Sequence, residues 1–576
     1  MTNLRHDETH DAVCSSTARH LLVVAPPGTG KTHLAVRLAG HIAPTLAHHE
    51  RVLLLTFSTQ ARTQLEREAD QQLTAALRRS VEVSNYHRFF WHGVRAYRRA
   101  LGLPLRTQLV SRRCRKDALE RIAPDLLPEL ARGEGLLESL AEHAFTQFQD
   151  HRTPPPDQLN RLLRAVHEEH RAGRLVFDDL GALFWSLLTT FDGVRNAYCS
   201  RYRVVIADEH QDASALQDAF VRLLGQDRLV IFADPMQLIH GFRGASPERL
   251  ERHRTECDAT LALSTSHRWH GHEHLAAWLL AVRARLEGQH NPLPPPQEMT
   301  LEFVQAERGL NAVKASVRFA VLRAFRQRQC RSVAVLARSN SEVGELRRYL
   351  SEHGLKPWQI GGEDFEEARG DIEQLPLLRD PQSVALHGVE RLVALVATLS
   401  RDIADQVRRR LLPGGPNRRG AGQEASAILQ ALEPIYTTGA TGYFKAMAAA
   451  IDTCTALGHH LPRLGYVQAL RDTAEALGGI AADLDTLLDE YSARIVAATH
   501  VVPRTTRGLF VMTAHQAKGK EFDAVILANA SQRFYPDNDE SRKLFYVAVT
   551  RATKAWTVIA PDRAATPLLA TLTGHQ

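Results

Sequence analysis

An apolar run, Leu21-Leu22-Val23-Val24, stops at Ala25-Pro26-Pro27-Gly28-Thr29-Gly30-Lys31-Thr32 and gives way to His33-Leu34-Ala35-Val36-Arg37-Leu38-Ala39. Few arrangements satisfy that order: a buried strand, a tightly turning loop, then an amphipathic helix. Gly28 and Gly30 let successive backbone N–H groups face one anion, and the helix N-terminus adds the positive end of its dipole. Lys31 then reaches the β- and γ-phosphates, and the Thr32 hydroxyl is placed to hold Mg²⁺. Loops of this kind open with Gly where this chain has Ala25, the smallest replacement, which the loop is expected to tolerate. Residues 25–32 are therefore read as a nucleoside triphosphate site.

At 576 residues the chain has room for roughly three or four domains. No apolar run approaches the ~20 residues that a membrane span needs, and MTNLRHDETH is too polar for a signal peptide. The six cysteines, Cys14, Cys114, Cys199, Cys257, Cys330 and Cys454, are scattered with no CxxC pair. That argues against a zinc or iron–sulfur site and fits a reducing, cytoplasmic setting. A net charge of +6, with clustered arginines such as Arg408 to Arg410, permits a polyanionic partner without requiring one.

Alternating strand and helix signals predict an α/β chain with doubly wound, mostly parallel sheets and ligands off the strand C-terminal ends. Strands are expected at Arg51 to Gln60, Val81 to Val83, Tyr202 to Ala207 and Arg228 to Ala233, and again at Ser332 to Ala337 and Gly508 to Met512. Residues 1–90 with 199–290 read as a first lobe, and 91–198 as a helical, basic insertion. A Pro-rich linker at 291–296 leads to a second lobe, residues 291–365 with 501–576. Residues 366–500 read as a second, mostly helical and reduced insertion.

The run Val204-Val205-Ile206-Ala207-Asp208-Glu209-His210-Gln211-Asp212 puts carboxylates at the end of a buried strand. Behind a phosphate loop, such an Asp suits Mg²⁺ and the adjacent Glu suits polarising a water. DEHQDAS resembles motif II (DExxQD) of the UvrD/Rep-like superfamily 1 (SF1A) DNA helicases, and further motifs follow in that family's order. Residues 56–61 resemble motif Ia, Tyr86-His87-Arg88-Phe89 resembles TFHSF, and Phe177-Asp178-Asp179-Leu180 resembles DFDDL. Residues 233–245 resemble motif III, Ser266-His267-Arg268 motif IV, residues 513–523 motif V and residues 542–552 motif VI.

The resemblance implies two RecA-like lobes, ATP and Mg²⁺ as cofactors, and DNA as partner. By that likeness Ala25 to Thr32, Gly519 and Glu521 hold the nucleotide, Glu521 at its sugar. Thr32 and Asp208 hold Mg²⁺, Glu209 activates water, and Gln237 senses the γ-phosphate. Arg268 and Arg551 act as arginine fingers, worth ~10³–10⁵ in rate where measured. Thr56, Phe57, Ser58, Tyr86, His87, His240, Phe242, Arg243, Arg338 and His515 fall on the nucleic-acid strand, where stacking contributes ~1–3 kcal/mol per base. His267 replaces the family's adenine-stacking Tyr, and residues 4–10 lack its adenine-reading Gln, so the base is expected to be held weakly. Three readings stay open: a 3′→5′ translocase or helicase on single-stranded DNA, an RNA translocase, and a DNA-stimulated NTPase subunit without unwinding activity. The last would serve a nuclease or another repair or antiviral-defence partner protein.

Overall fold

The computed structural model describes residues 8–57, 59–105, 107–109, 156–239, 245–265, 267, 272–289, 292–294, 299–307, 310–355, 357–359, 508–562 and 564–573, with isolated residues between 427 and 456. Most of the expected insertion at 366–500, and part of the expected linker, lie outside the described residues. The chain divides into two compact units, residues 1–339 with 513–576, and residues 340–512.

The first half of the larger unit carries β1 (His20–Val24), β2 (Arg51–Thr56), β3 (Val81–Asn85), β4 (Gln108–Leu109), β5 (Arg174–Leu175), β6 (Tyr202–Ala207), β7 (Arg228–Ala233) and β8 (Ala259–Ala262). Six of these form one all-parallel sheet in the order β3-β2-β6-β7-β1-β8, with β4 and β5 paired separately. Both faces of the sheet are covered, which is why its strands read as unbroken Val, Leu and Ile rather than as alternating polar and apolar residues. Leu22, Leu53, Leu55, Val205 and Ile231 face one core; Leu21, Val23, Leu54, Ile206, Val230 and Phe232 face the other.

The first of those cores is aromatic. Phe89 and Phe90 (helix Tyr86–Ala96), Phe184 (helix Phe177–Thr190) and Phe220 (helix Ala215–Leu224) meet with ring centroids 4.9–5.8 Å apart. Helix Phe177–Thr190 falls within the stretch expected as an insertion, yet its Leu180, Leu183 and Leu187 belong to the core of the first sheet. Local capping fixes where two of these helices start. Asn85 Oδ1 accepts from the Arg88 N–H at 2.9 Å, and Ser214 and Gln217 form a reciprocal capping box.

The second half carries β9 (Thr300–Ala306), β10 (Ser332–Ala337), β11 (Pro357–Gln359), β12 (Gly508–Thr513), β13 (Phe522–Leu527) and β14 (Ala552–Pro561). In the larger unit β10-β13-β14-β9 is again wholly parallel. In the smaller unit helix Asn340–Glu352 leads to β11, which pairs in parallel with β12 through Trp358 and Phe510. The chain is thus α/β with parallel sheets, as its alternating pattern requires. Among the described residues no helix is long and apolar enough to cross a membrane.

Gly93, inside helix Tyr86–Ala96, shows how closely the aromatic core is packed. A Cβ there would lie 2.0 and 2.4 Å from two ring carbons of Phe184. Helix propensity alone favours Gly93→Ala by about 1 kcal/mol. Overpacking opposes it by about 1–3 kcal/mol, so a net loss of stability is expected, read as a lower urea midpoint with unchanged m. A midpoint that rises would show that Phe184 does not seal against this helix.

Candidate functional site

In the first sheet β6, β7 and β1 are neighbours, and because they are parallel their C-terminal ends open on one edge. The phosphate loop follows β1, the Asp208–Asp212 turn follows β6, and the Asp234–Gln237 turn follows β7. The loops are tied down at their roots. The Ala25 N–H donates to the Ala233 carbonyl at 3.0 Å, and the Asp208 N–H to the Leu55 carbonyl at 2.7 Å.

Gly28 and Gly30 both take left-handed conformations, φ 81° and 77°. Ala25 does not, which is why Ala serves there: it is fully buried and asks for no glycine-like backbone. Helix Lys31–Ile42 begins at Gly30, which has no side chain to cap the first turn, so its leading N–H groups face the loop. Two histidines flank the loop. His10 Nε2 lies 2.9 Å from the Thr29 carbonyl, and the His267 N–H donates to the Gly28 carbonyl at 2.8 Å. Their ring centroids are 4.9 Å apart, and a Cβ on Gly30 would press on both.

Lys31 is buried and forms an ion pair with Glu209 at 2.8 Å. Burial would lower its pKa, but Glu209, then Asp234 and Asp208, more than reverse that and keep it charged. Asp208 is buried beside Glu209, and burial followed by that neighbouring charge pushes its carboxyl well up. For Glu209, burial works upward as well, but Lys31 and then Lys518 hold it well down. Glu209 itself sits at φ 54°, a left-handed conformation rare for a side chain of its kind. Its carboxylate also accepts from Gln211 Nε2 at 2.5 Å, while Gln211 Oε1 accepts from the Asp234 N–H at 3.1 Å.

A side chain from beside the second sheet reaches this cluster. Lys518, in the turn after β12, donates to Asp212 and, at 2.7 Å, to the Gln237 carbonyl. Burial raises the Asp212 carboxyl to about 6 even with Lys518 partly offsetting it.

Comparison with known proteins explains this arrangement. The UvrD/REP helicase N-terminal domain family matches residues 6–258, and the UvrD-like helicase C-terminal domain family matches residues 508–559, together more than half of the chain. The chain belongs to the UvrD/Rep helicase family. It is 25% identical to the ATP-dependent DNA helicase UvrD1 of Mycobacterium tuberculosis, over 92% of this chain and 79% of that protein. Likenesses of 22% to the ATP-dependent DNA helicase PcrA of Leuconostoc citreum and 23% to Rep of Escherichia coli K12 cover 96% and 93% of this chain and 81% and 88% of those proteins. The two parallel sheets are accordingly the two RecA-like lobes of a UvrD/Rep enzyme.

Within that UvrD/Rep frame the expected residues are placed unevenly. Gln237 is buried, its amide donating to Asp234 at 2.8 Å. Arg551 is 2% exposed, and its guanidinium donates to the carbonyls of Val547 and Lys520 and to Thr550 Oγ1, all on the second lobe. Gly519 and Glu521 are exposed beside Lys518. On the strand side Phe57 and His87 are half-buried, with the His87 ring edge-on to Phe177 at 5.9 Å. His515 is half-buried, and Arg338 pairs with Glu540 at 2.6 Å. Ser58, His240, Phe242, Arg243 and Arg268 lie outside the described residues.

Two strand expectations need correction. Tyr86 is 1% exposed, its ring packed in the aromatic core and its hydroxyl 3.2 Å from His210 Nδ1, so it cannot stack on a base. Thr56 is fully buried at the end of β2, so its side chain cannot meet a strand either. The residues not foreseen are Lys518, Asp212 and His10. A Lys placed just before Gly519 in a loop after a buried strand, and the last acid of DEHQD, were the available signals for the first two.

The donor set fits a triphosphate and a divalent cation. A charged Lys31 faces the loop, and Asp208 and Glu209 compete for too little positive charge, which a cation relieves. Lys31→Ala is expected to weaken nucleotide binding, because the phosphates lose their charge partner. Glu209→Gln should keep nucleotide affinity within a few-fold yet cut turnover ~10²–10⁴-fold, since shape remains and the basic oxygen does not. Equilibrium nucleotide binding beside steady-state hydrolysis checks both; near-normal turnover in Glu209→Gln removes that carboxylate from the chemistry.

Proposed function

We propose that this UvrD/Rep-family ATPase uses hydrolysis to move 3′→5′ along single-stranded DNA and unwind duplex ahead of it. The observation that carries the reading is Lys518: a second-lobe ammonium bound to Asp212 and to the Gln237 backbone makes the hydrolysis site a joint product of both lobes. A strand lying across the lobes then acts on the same cluster that holds the nucleotide. Lys31 and the loop N–H groups bind and orient the phosphates, and Glu209 is the base that takes a proton from the attacking water. Thr32 and Asp208 would hold Mg²⁺, which when bound supplies charge neutralisation on the phosphates. Arg551, with Arg268, would approach the transferring phosphoryl from the second lobe.

On the strand side Phe57 and His87 are the described side chains best placed to meet bases. Contacts to base faces and backbone read no sequence. The direction of travel rests on family likeness, and the same likeness favours DNA repair as the setting. With His10 and His267 flanking the loop, the nucleobase meets two imidazoles.

Hydrolysis should rise steeply with single-stranded DNA. The half-saturating concentration should climb with salt, with a log–log slope of about 0.7 per phosphate contacted. His87→Ala should raise that concentration by roughly 5- to 150-fold, the equivalent of ~1–3 kcal/mol per stacked base, while sparing hydrolysis without DNA. A strand-displacement assay on 3′- and 5′-tailed duplexes, with DNA or RNA tracking strands, reads polarity and substrate together. Equal turnover with and without nucleic acid at low salt would sink the translocase reading.

A second expectation concerns the base. Discrimination between ATP and GTP should be slight, because neither imidazole offers the paired donor and acceptor that reads an adenine edge. Competition titration settles it: strong ATP preference means that other residues read the base.

A further inference from the structure

His210 follows Glu209 directly and is itself buried, 4% exposed. Its Nε2 lies 3.0 Å from Asp218 Oδ1, and that same oxygen is 2.5 Å from His253 Nε2. Its Nδ1 lies 3.2 Å from the Tyr86 hydroxyl. Asp218 and His253 are buried as well, on helices Ala215–Leu224 and Pro247–Glu256. Three helices are thereby joined through one imidazole to the backbone of the catalytic turn.

The directions of these bonds follow from chemistry. A carboxylate only accepts, so both histidines donate from Nε2, and His210 Nδ1 is left to accept the Tyr86 O–H. Burial holds His210 neutral despite the Asp218 charge, which suits one donor and one acceptor. Burial would raise Asp218, but its bonds from His210 and then His253 keep it far below the ordinary carboxylate range. The two nitrogens approach one oxygen more closely than two ligands of a zinc ion stand, about 3.3 Å apart for ~2.0 Å bonds in a tetrahedron. As they stand, the four side chains form a closed hydrogen-bond chain.

Two of its members matter. Tyr86 opens helix Tyr86–Ala96, whose next residue is His87. His210 is itself the residue after Glu209, whose left-handed backbone holds only where the surroundings over-determine it. In this structure the Glu209 carboxylate rests on Lys31, a contact that must open for Lys31 to serve phosphate and Glu209 to serve water. The geometry points to the chain Tyr86–His210–Asp218–His253 as the tie through which a strand against helix Tyr86–Ala96 repositions Glu209, with Asp218 and His253 as positioning residues. It rests on the strand-driven reading above and names the parts that would carry the coupling.

The test is made on the full-length chain, following hydrolysis against oligo(dT) concentration, with thermal melting as a fold control. Asp218→Asn and His253→Leu should leave hydrolysis without DNA within twofold and lower DNA-stimulated turnover at least tenfold. The half-saturating DNA concentration should stay within threefold. His253→Gln, which keeps an N–H donor for Asp218, should retain stimulation. Tyr86→Phe should lose stimulation too, and Tyr86→Phe with Asp218→Asn should be no worse than either alone, because both cut one chain. Retained stimulation in Asp218→Asn and His253→Leu, additive losses in the double variant, or an equal fall with and without DNA would overturn the proposal. So would a stoichiometric zinc lost on His253→Leu. A wild-type enzyme that DNA does not stimulate fails the earlier reading first, before any variant is made.

Discussion

Among the described residues, four carboxylates, Asp208, Glu209, Asp212 and Asp234, lie at the strand ends with three cations, Lys31, Lys518 and Arg283, the last paired with Asp234 at 3.0 Å. Everything else at the strand ends answers to that imbalance. Buried charge is tolerable only when paired and hydrogen-bonded, and removing one member of such a pair costs about 3–5 kcal/mol. The surplus is negative, and it falls on Asp208, whose carboxyl is pushed up by burial and by Glu209. A site in that state has an electrostatic appetite for a cation and a reason to hold Lys518 from the other lobe. The ion pair of Lys31 with Glu209 and that of Lys518 with Asp212 thus belong to one charge balance.

Much of the fold was legible because parallel strands buried on both faces leave an unmistakable signature. Leu53-Leu54-Leu55 and Val204-Val205-Ile206 can hardly be anything else, and the second is followed at its C-terminal end by Asp208 and Glu209, the carboxylates proposed for the chemistry. The phosphate loop and the DEHQD turn were readable for the same reason: both are local, a strand end plus a few residues. What resisted was anything set by tertiary packing. Tyr86 follows a strand much as Phe57 does, and nothing local tells that its ring turns inward while its hydroxyl finds His210. Helix Phe177–Thr190 looked like part of an insertion because it follows a long basic stretch, but its Leu and Phe face completes the first sheet. Lys518 lies about 300 residues from its partner Asp212, and no periodicity reports a pairing at that distance.

Arg551 illustrates a different limit, one of state rather than of sequence. Its guanidinium is engaged by Val547, Lys520 and Thr550 on its own lobe. Burial and then the neighbouring Arg551 charge bring Lys520 down to about 8. The neutral oxygens that hold it offer a guanidinium less than an anionic phosphate oxygen would.

The strand order has a consequence for how the protein is made. β1 carries the phosphate loop, yet its two neighbours are β7 and β8, so His20 pairs with Leu229 and Leu21 with Ala259. A ribosome must therefore release some two hundred further residues before the first apolar strand finds either partner. Until then HLLVV is an unpaired, sticky edge on an emerging polypeptide, the kind of segment that chaperones hold. Truncated chains ending before β7 would display the full phosphate-loop sequence and have no neighbouring strand to support it. The phosphate-loop strand is thus translated some two hundred residues before the sheet that makes it a site can close around it.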